Sequence, residues 1–361
     1  MTSRIPVGLR ARSEIFSGSL ALARHSPQHR RMSRRHRSQG ELFITRCLLT
    51  VFKILGAILM VVPSRTWEWI ARPVSWILWQ VLRRYRKRTL DNLAQHGLTG
   101  SAAVRRGRGS FHSMVLVLFE TLAMKRIRAR RGVTVDYEVT DEAQVTIDAV
   151  RAGELPGVLA IGGHTGSWET NGSEIAKMFE PARAAVSYRP QRDPVLDNWL
   201  VSTRNSWGLE LVDKSKFLRF FARRWREKPA TAYCFFIDQH ARNFSASDFM
   251  GEPGCTVDVP AHIVIRYGAP VLFVNCVRER AGHYRVFTQH FDPAPYLALP
   301  EAEQVEALTR AFNEQVARQI EANPDQWTWG HKRWRECCRR KAAEAAGETA
   351  PPSDVAVANP S

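Results

Sequence analysis

A chain of 361 residues, 44% apolar and 24% charged, is long enough to bury one large α/β core, which excludes disorder for most of its length. Its 52 Lys and Arg against 35 Asp and Glu leave a formal charge of +17, so the partner is anionic: phospholipid, phosphorylated glycolipid, an acidic carrier protein or nucleic acid. Cys47, Cys234, Cys255, Cys276, Cys337 and Cys338 form no CxxC pair and lack the spacing of a disulfide framework or zinc site, so the expectation is a reduced, cytosol-facing protein without a metal.

The first forty residues carry nine Arg, one acid (Glu14) and no long apolar run, which reads as a disordered basic tail rather than a secretory signal. Met32 would serve equally well as a start; losing the six Arg and one Glu before it lowers +17 to +12. From Leu42 to Val62 the chain is apolar except for Thr45, Arg46, Thr50 and Lys53, long enough to cross a bilayer. Arg46 and Lys53, seven apart, share one helical face, which suits a helix lying in the interface or one snorkelling both charges towards one leaflet. A membrane anchor is expected, its depth left open.

Trp67, Trp69, Trp76 and Trp79 follow, just ahead of five basic residues in the six positions Arg83 to Arg88. Aromatic rings beside cations are the pattern of a headgroup-level surface, and a core helix with a solvated end is the alternative. Beyond Gly132 strands alternate with helices. Strands are expected at 133–139, 158–161, 184–188, 209–212, 231–237, 271–277 and 284–287, a final amphipathic helix at about 301–323, and a disordered Ala/Glu/Pro tail after Arg340.

The segment GVLAIGGHTGSWE, Gly157 to Glu169, carries the sharpest chemistry. A short apolar strand ends in two glycines that allow a tight turn and close approach to a ligand, and a helix is expected to begin near Gly166. His164 then sits at the strand's carboxyl end, the ligand-binding edge of an open α/β sheet. Glu169 is expected to fold back onto the imidazole, fix its tautomer and raise the basicity of the other nitrogen. The spacing alone is weak, because His36/Glu41 and His331/Glu336 share it; only His164 follows a strand and a glycine pair.

Ser187-Tyr188-Arg189 again follows a strand, so Arg189 is placed to meet phosphate or a developing oxyanion, or else to form a surface ion pair. Phe235-Phe-Ile-Asp238-Gln239 is a third strand ending in polar groups, which bind substrate or cap a turn. The stretch from Asp248 to Thr256 reads as a loop leading into a helix near Val259, with Thr256 as N-cap or substrate contact. Near the end, NPDQWTWGHKRW packs three Trp into eight positions, a density that docks a terminal segment onto a core. GxSxG, GxxxxGK[ST], GxGxxG and HExxH motifs are missing, which leaves a histidine base acting directly on an acceptor hydroxyl as the economical mechanism.

These residues in this order, from the apolar helix through TLDNL, GGHTGSWE, SYRP, DPVLD and the strand ending Asp238-Gln239 to DQWTWGHKRW, resemble the bacterial lipid A biosynthesis acyltransferases of the lauroyl and myristoyl transferase type, within the lysophospholipid acyltransferase superfamily. The resemblance covers roughly Leu42 to Arg335. It implies a mixed central sheet surrounded by helices, an N-terminal membrane-anchoring helix, and transfer from an acyl carrier protein or coenzyme A thioester to a glycolipid hydroxyl at the cytoplasmic side of the inner membrane. It implies no cofactor, His164 as base with Glu169 as its partner, and Arg189 as a substrate contact; Gly166, Tyr188, Asp238, Gln239 and Thr256 are the further candidate substrate contacts. The expected organisation is a basic tail at 1–40, anchor and interfacial helices at 41–88, an acyltransferase domain at 89–338 and a tail at 339–361. Ser167 stands where the family often has Asn, which leaves other acceptors open, such as a phosphatidylinositol mannoside or an aminolipid. A non-catalytic lipid-binding scaffold is the other class; nucleic-acid binding is disfavoured because the basic region adjoins the apolar helix and contains no recognisable nucleic-acid module.

Overall fold

The computed structural model of the protein describes residues 39–345 apart from 242, 243 and 245. An all-helical N-terminal part comprises α1 (Gln39–Val61), α2 (Trp67–Val81), α3 (Arg83–Gln95), α4 (Gly100–Leu122) and α5 (Met124–Arg128). The α/β part then runs β1 (Thr134–Val139), α6 (Asp141–Arg151), β2 (Gly157–Gly162), α7 (Trp168–Met178), β3 (Arg183–Tyr188), α8 (Pro194–Asn205), β4 (Leu209–Asp213), α9 (Phe217–Glu227) and β5 (Thr231–Phe236). A hairpin of β6 (Ala246–Phe249) and β7 (Glu252–Cys255) precedes α10 (Val259–Tyr267), β8 (Val271–Arg280), β9 (His283–Phe291), α11 (Ala294–Leu297), α12 (Glu301–Ala322) and α13 (Glu336–Ala345).

Seven strands form one mixed sheet in the order β1-β9-β8-β2-β5-β3-β4, all neighbours parallel except β8 and β9. The central strands read as continuous apolar runs because both faces are covered. Successive side chains point to opposite faces, and the two buried clusters divide accordingly. Val158 and Ala160 of β2, Ala232 and Cys234 of β5, and Leu272 and Val274 of β8 join one cluster, with Phe119, Ile147 and Ile175 from α4, α6 and α7. Their neighbours Leu159, Ile161, Tyr233, Phe235, Val271 and Phe273 join the other, against Phe221, Ile263 and Phe312 from α9, α10 and α12.

All seven expected strands form, within a few residues of their expected bounds. The expected loop from Asp248 to Thr256 is instead largely a two-stranded hairpin, with Ala246 opposite Cys255. Of the expected basic tail at 1–40, residues 1–38 lie outside the described residues and the last two begin α1. At the other end α13 continues to Ala345, where a disordered tail was expected, and residues beyond it lie outside the described range.

Leu42–Val61 is long and apolar enough to cross a membrane, and only 22% of its most apolar window is buried. Leu49 and Leu59 pack inwards, while Phe43, Ile44, Leu48, Val51, Ile54, Ile58 and Val61 are exposed. The C-terminal end of α1 is closed by Arg126, which donates to the carbonyls of Leu59 and Val62. The four tryptophans behave differently from one another: Trp69 and Trp76 are exposed, whereas Trp67 and Trp79 are core residues. For those two the interfacial reading is corrected, since they lie on the face of α2 that packs against the protein.

Candidate active site

Parallel pairing of β2 with β5 brings two distant segments together at the carboxyl edge of the sheet. Gly162 pairs with Phe236, so the residues two positions beyond each strand, His164 and Asp238, emerge side by side. The backbone N–H of His164 donates to Asp238 Oδ2 at 2.8 Å, and its ring Nδ1 lies 2.7 Å from Asp238 Oδ1. Trp327 Nε1 donates to the same Oδ2 at 2.8 Å. Burial by itself would raise the Asp238 carboxyl, yet the electrostatic attraction of the His164 ring and the hydrogen bonds from His164 and Trp327 outweigh it and hold the group below the usual carboxylate range. An ionised Asp238 only accepts, which assigns the ring proton to Nδ1 and leaves Nε2 as the acceptor for a substrate.

Glu169 is the principal correction. Its carboxylate does not reach His164 Nδ1, which Asp238 occupies; both its oxygens bind Arg204 of α8, Oε1 to Nη2 at 2.5 Å and Oε2 to Nε at 3.1 Å. The physical reason is the late start of α7: residues 165–167 separate His164 from the helix, so a His-x4-Glu spacing does not place both side chains on one helical face. This Glu169–Arg204 fork ties the first turn of α7 to α8, and it raises Arg204 against the lowering effect of burial.

The remaining expected contacts separate into three groups. Gln239 joins His164 in lining a pocket of about 370 Å³. Gly166 acts through its backbone: its φ is +63° and an added Cβ would lie 2.1 Å from the Cys276 carbonyl oxygen, so only glycine fits there. Thr256 is 1% exposed and is neither N-cap nor pocket-lining; it receives a bond from Arg333 at 2.6 Å and donates to Asn313 at 3.0 Å, while Asp258 holds the N-cap position of α10 without a side-chain capping bond. Tyr188 and Arg189 sit at the end of β3, Tyr188 half-buried and Arg189 exposed, and neither lines the pocket. Thr256, Tyr188 and Arg189 therefore lie outside the wall of this pocket.

Sequence reading missed most of the pocket wall. Besides His164, Trp168 and Gln239 it is lined by Tyr85 and Arg88 of α3 and by Thr328, Gly330, His331, Lys332 and Arg335 of the C-terminal segment. That segment docks as its tryptophans suggest, with Trp327 bridging Thr165 and the Gln326 carbonyl accepting from Gly166 N–H at 3.0 Å. It also delivers cations and the Trp327 N–H to the site. No Asp or Glu is among the lining residues, so Arg88, Lys332 and Arg335 give the pocket a positive field.

The loop after His164 is anchored from below. Ser167 Oγ donates to Glu120 Oε2 at 2.5 Å, and the same carboxylate takes Arg278 Nη2 at 2.7 Å. Glu120 and Arg278 are 0% and 6% exposed, and the Arg278 backbone is clasped by Gln326 through its N–H at 3.1 Å and its carbonyl at 2.8 Å.

Partly buried imidazoles make acid stability a test of this packing. Burial pushes His331 down from 6.5 to about 4, against an opposing pull from Asp238. It also lowers His96 and His112, opposed at His96 by Glu252 and reinforced at His112 by Arg278. Depressed folded-state values favour the neutral ring, so this stability is complete above pH 6.5 and is lost as the pH falls towards 4. His331 alone accounts for about 3 kcal/mol by pH 4. Urea unfolding at pH 7, 5 and 4 measures the fall, and a flat profile would contradict the assigned burial.

Among curated proteins, none matches the chain. The sequence profile described as bacterial lipid A biosynthesis acyltransferase matches residues 35–336, which take in α1, the whole sheet, the His164 loop and the Trp-rich segment up to the start of α13. With a histidine at the carboxyl edge of a mixed sheet, on the wall of a cationic pocket, and with an exposed apolar helix at the start of the described chain, the chain belongs to the bacterial lipid A biosynthesis acyltransferase family.

Proposed function

We propose that the protein moves a fatty acyl chain from an acyl carrier protein or coenzyme A thioester to a hydroxyl of a lipid A precursor, with His164 as general base and Asp238 as the group that orients it. The observation that carries this reading is His164 held by Asp238 through both its ring and its backbone, on the wall of a pocket lined by Arg88, Lys332 and Arg335. His164 Nε2 takes the proton of the acceptor hydroxyl as its oxygen attacks the thioester carbon, and Asp238 stabilises the imidazolium that forms. The new C–O bond closes a tetrahedral oxyanion, which the pocket's cations favour. Collapse breaks the C–S bond, and the proton on Nε2 passes to the departing thiolate. No acyl-enzyme is needed. Glu169 enters as a positioning residue that holds Arg204 and the start of α7.

The exposed apolar residues of α1, with Trp69 and Trp76 of α2, supply a surface for the inner membrane, and basic α3 lies next to it in the chain. Water-soluble thioester carriers then reach the pocket from the cytoplasmic side. The positive pocket favours a phosphorylated acceptor over a neutral one.

The test is transfer in vitro. The full chain in phospholipid vesicles is mixed with a fatty acyl thioester of acyl carrier protein or coenzyme A and with a phosphorylated lipid A precursor, and lipid products are weighed by mass spectrometry. One acyl mass gained by the precursor is the expected result. Acylation of a phosphatidylinositol mannoside or aminolipid in its place would keep the chemistry and overturn the acceptor. Absence of transfer to every acceptor would favour the scaffold.

A further inference from the structure

Beside the pocket, three residues from separate elements converge. His240 follows Asp238 by two positions, Cys255 ends β7, and Cys338 lies in the first turn of α13. The Cys255 and Cys338 sulfurs and a His240 ring nitrogen all lie within 4.8 Å of one another, and Cys338 Sγ is 3.4 Å from His240 Nδ1. Both cysteines are 0% exposed, and His240 is half-buried. We propose that His240, Cys255 and Cys338 bind one zinc-like divalent cation that fastens the C-terminal segment to the loop carrying Asp238.

Three observations carry this. The first is size: sulfur at about 2.3 Å and nitrogen at about 2.0–2.1 Å around a tetrahedral ion stand roughly 3.6 Å apart, close to the 3.4 Å seen here between Cys338 and His240. The second is the bonding of the sulfur. The backbone N–H of Cys255 donates to Cys338 Sγ at 3.3 Å, an arrangement that supports negative charge on a metal-bound thiolate. The third is the surrounding charge: fully buried Arg333 donates to the Cys255 carbonyl at 3.0 Å, and Lys341 lies one turn beyond Cys338 on α13. Two thiolates, one imidazole and a divalent ion are neutral together, so the set suits burial, and its softness selects zinc over magnesium or calcium.

The ligands explain why cysteine spacing gave no hint of a site. His240 and Cys255 are fifteen positions apart and Cys255 and Cys338 eighty-three, with no CxxC in either interval. The placement also gives the ion a task. Gln239 precedes His240, and Arg335 precedes Cys338 by three positions, so the ion would join two walls of the pocket.

Metal content decides it. The full-length protein is purified without a metal-affinity tag, its zinc is counted by elemental mass spectrometry, and a metal-stripped sample is titrated with Co²⁺ to look for thiolate-to-cobalt charge-transfer absorption. About one zinc per chain is expected in the wild type and in Cys47→Ser, whose thiol is exposed and is not a member of the cluster. It should be lost in Cys255→Ser and Cys338→Ser. Because those variants bear on the core, the cobalt titration of the unaltered chain stands independently of their folding. A folded wild type that neither carries zinc nor develops the cobalt band, or one that holds Cys255 and Cys338 as a disulfide, overturns the proposal.

Discussion

Alanine at position 164 is expected to lower kcat for acyl transfer by about 10²–10⁴-fold, the usual worth of a positioned general base, and Asp238→Asn to fall close to it. The two residues act as a unit. An asparagine cannot offer carboxylate charge to the imidazolium, and its amide group can turn a donor towards the ring and present the wrong tautomer. On a His164→Ala background Asp238→Asn should therefore cost little more, because the ring it serves is already gone. Glu169→Gln belongs to a different register. It weakens the fork to Arg204, whose side chain is 26% exposed, so part of its effect appears as lost stability that an added Arg204→Gln change restores. Steady-state kinetics with a thioester donor and denaturant unfolding on the same five proteins separate the cases. Near-normal turnover in Asp238→Asn, together with a Glu169→Gln enzyme as inactive as His164→Ala and no less stable than wild type, would return the dyad to Glu169.

Strands were legible in the sequence because each is an apolar run bounded by glycine, proline or polar turns, and such runs become central strands once both faces are covered. His164 was legible for a similar reason: a buried strand, two glycines and a histidine leave few other places for the ring than the sheet edge. Its partner was not. His164 and Asp238 are seventy-four positions apart, and their meeting depends on β5 pairing with β2 in a register that places Phe236 opposite Gly162. The nearer carboxylate at Glu169 was the natural choice only while α7 was thought to start near Gly166. A start at Trp168 turns that side chain towards α8.

The Trp-rich end shows a related gap. Trp327, Trp329 and Trp334 are buried, as their density suggests, and Trp327 at the same time donates to Asp238. Periodicity reports that a ring is buried and says nothing about where its single N–H points. The basic stretch between Arg83 and Arg131 likewise divides in the structure: Arg88 lines the pocket, Arg126 closes a helix end, and Arg130 meets Glu174 at 2.7 Å. A net charge cannot separate the cations that face a partner from those that hold the fold together.

Removing Glu120 is expected to destabilise the fold more than any change at the pocket surface. Its carboxylate, 0% exposed, answers the charge of Arg278, which is itself 6% exposed and held in place by Gln326 and Ser113. Glu120→Ala leaves that guanidinium buried and unpaired, a loss of about 3–5 kcal/mol in unfolding free energy, visible as a lower denaturant midpoint. A double substitution, Glu120→Leu with Arg278→Met, takes both charges out of the core and should recover most of that loss, since the pair's attraction and its desolvation cost nearly cancel. Activity should not recover with it. Ser167 loses the acceptor that holds the loop between His164 and α7, and that loop also depends on the Gly166 bond to Gln326. The double variant is thus expected to fold nearly as stably as the wild type yet transfer acyl groups more slowly, with the defect in kcat rather than KM. If Glu120→Ala shifts the midpoint by under about 1 kcal/mol, the buried pair is not what fixes the floor of the site.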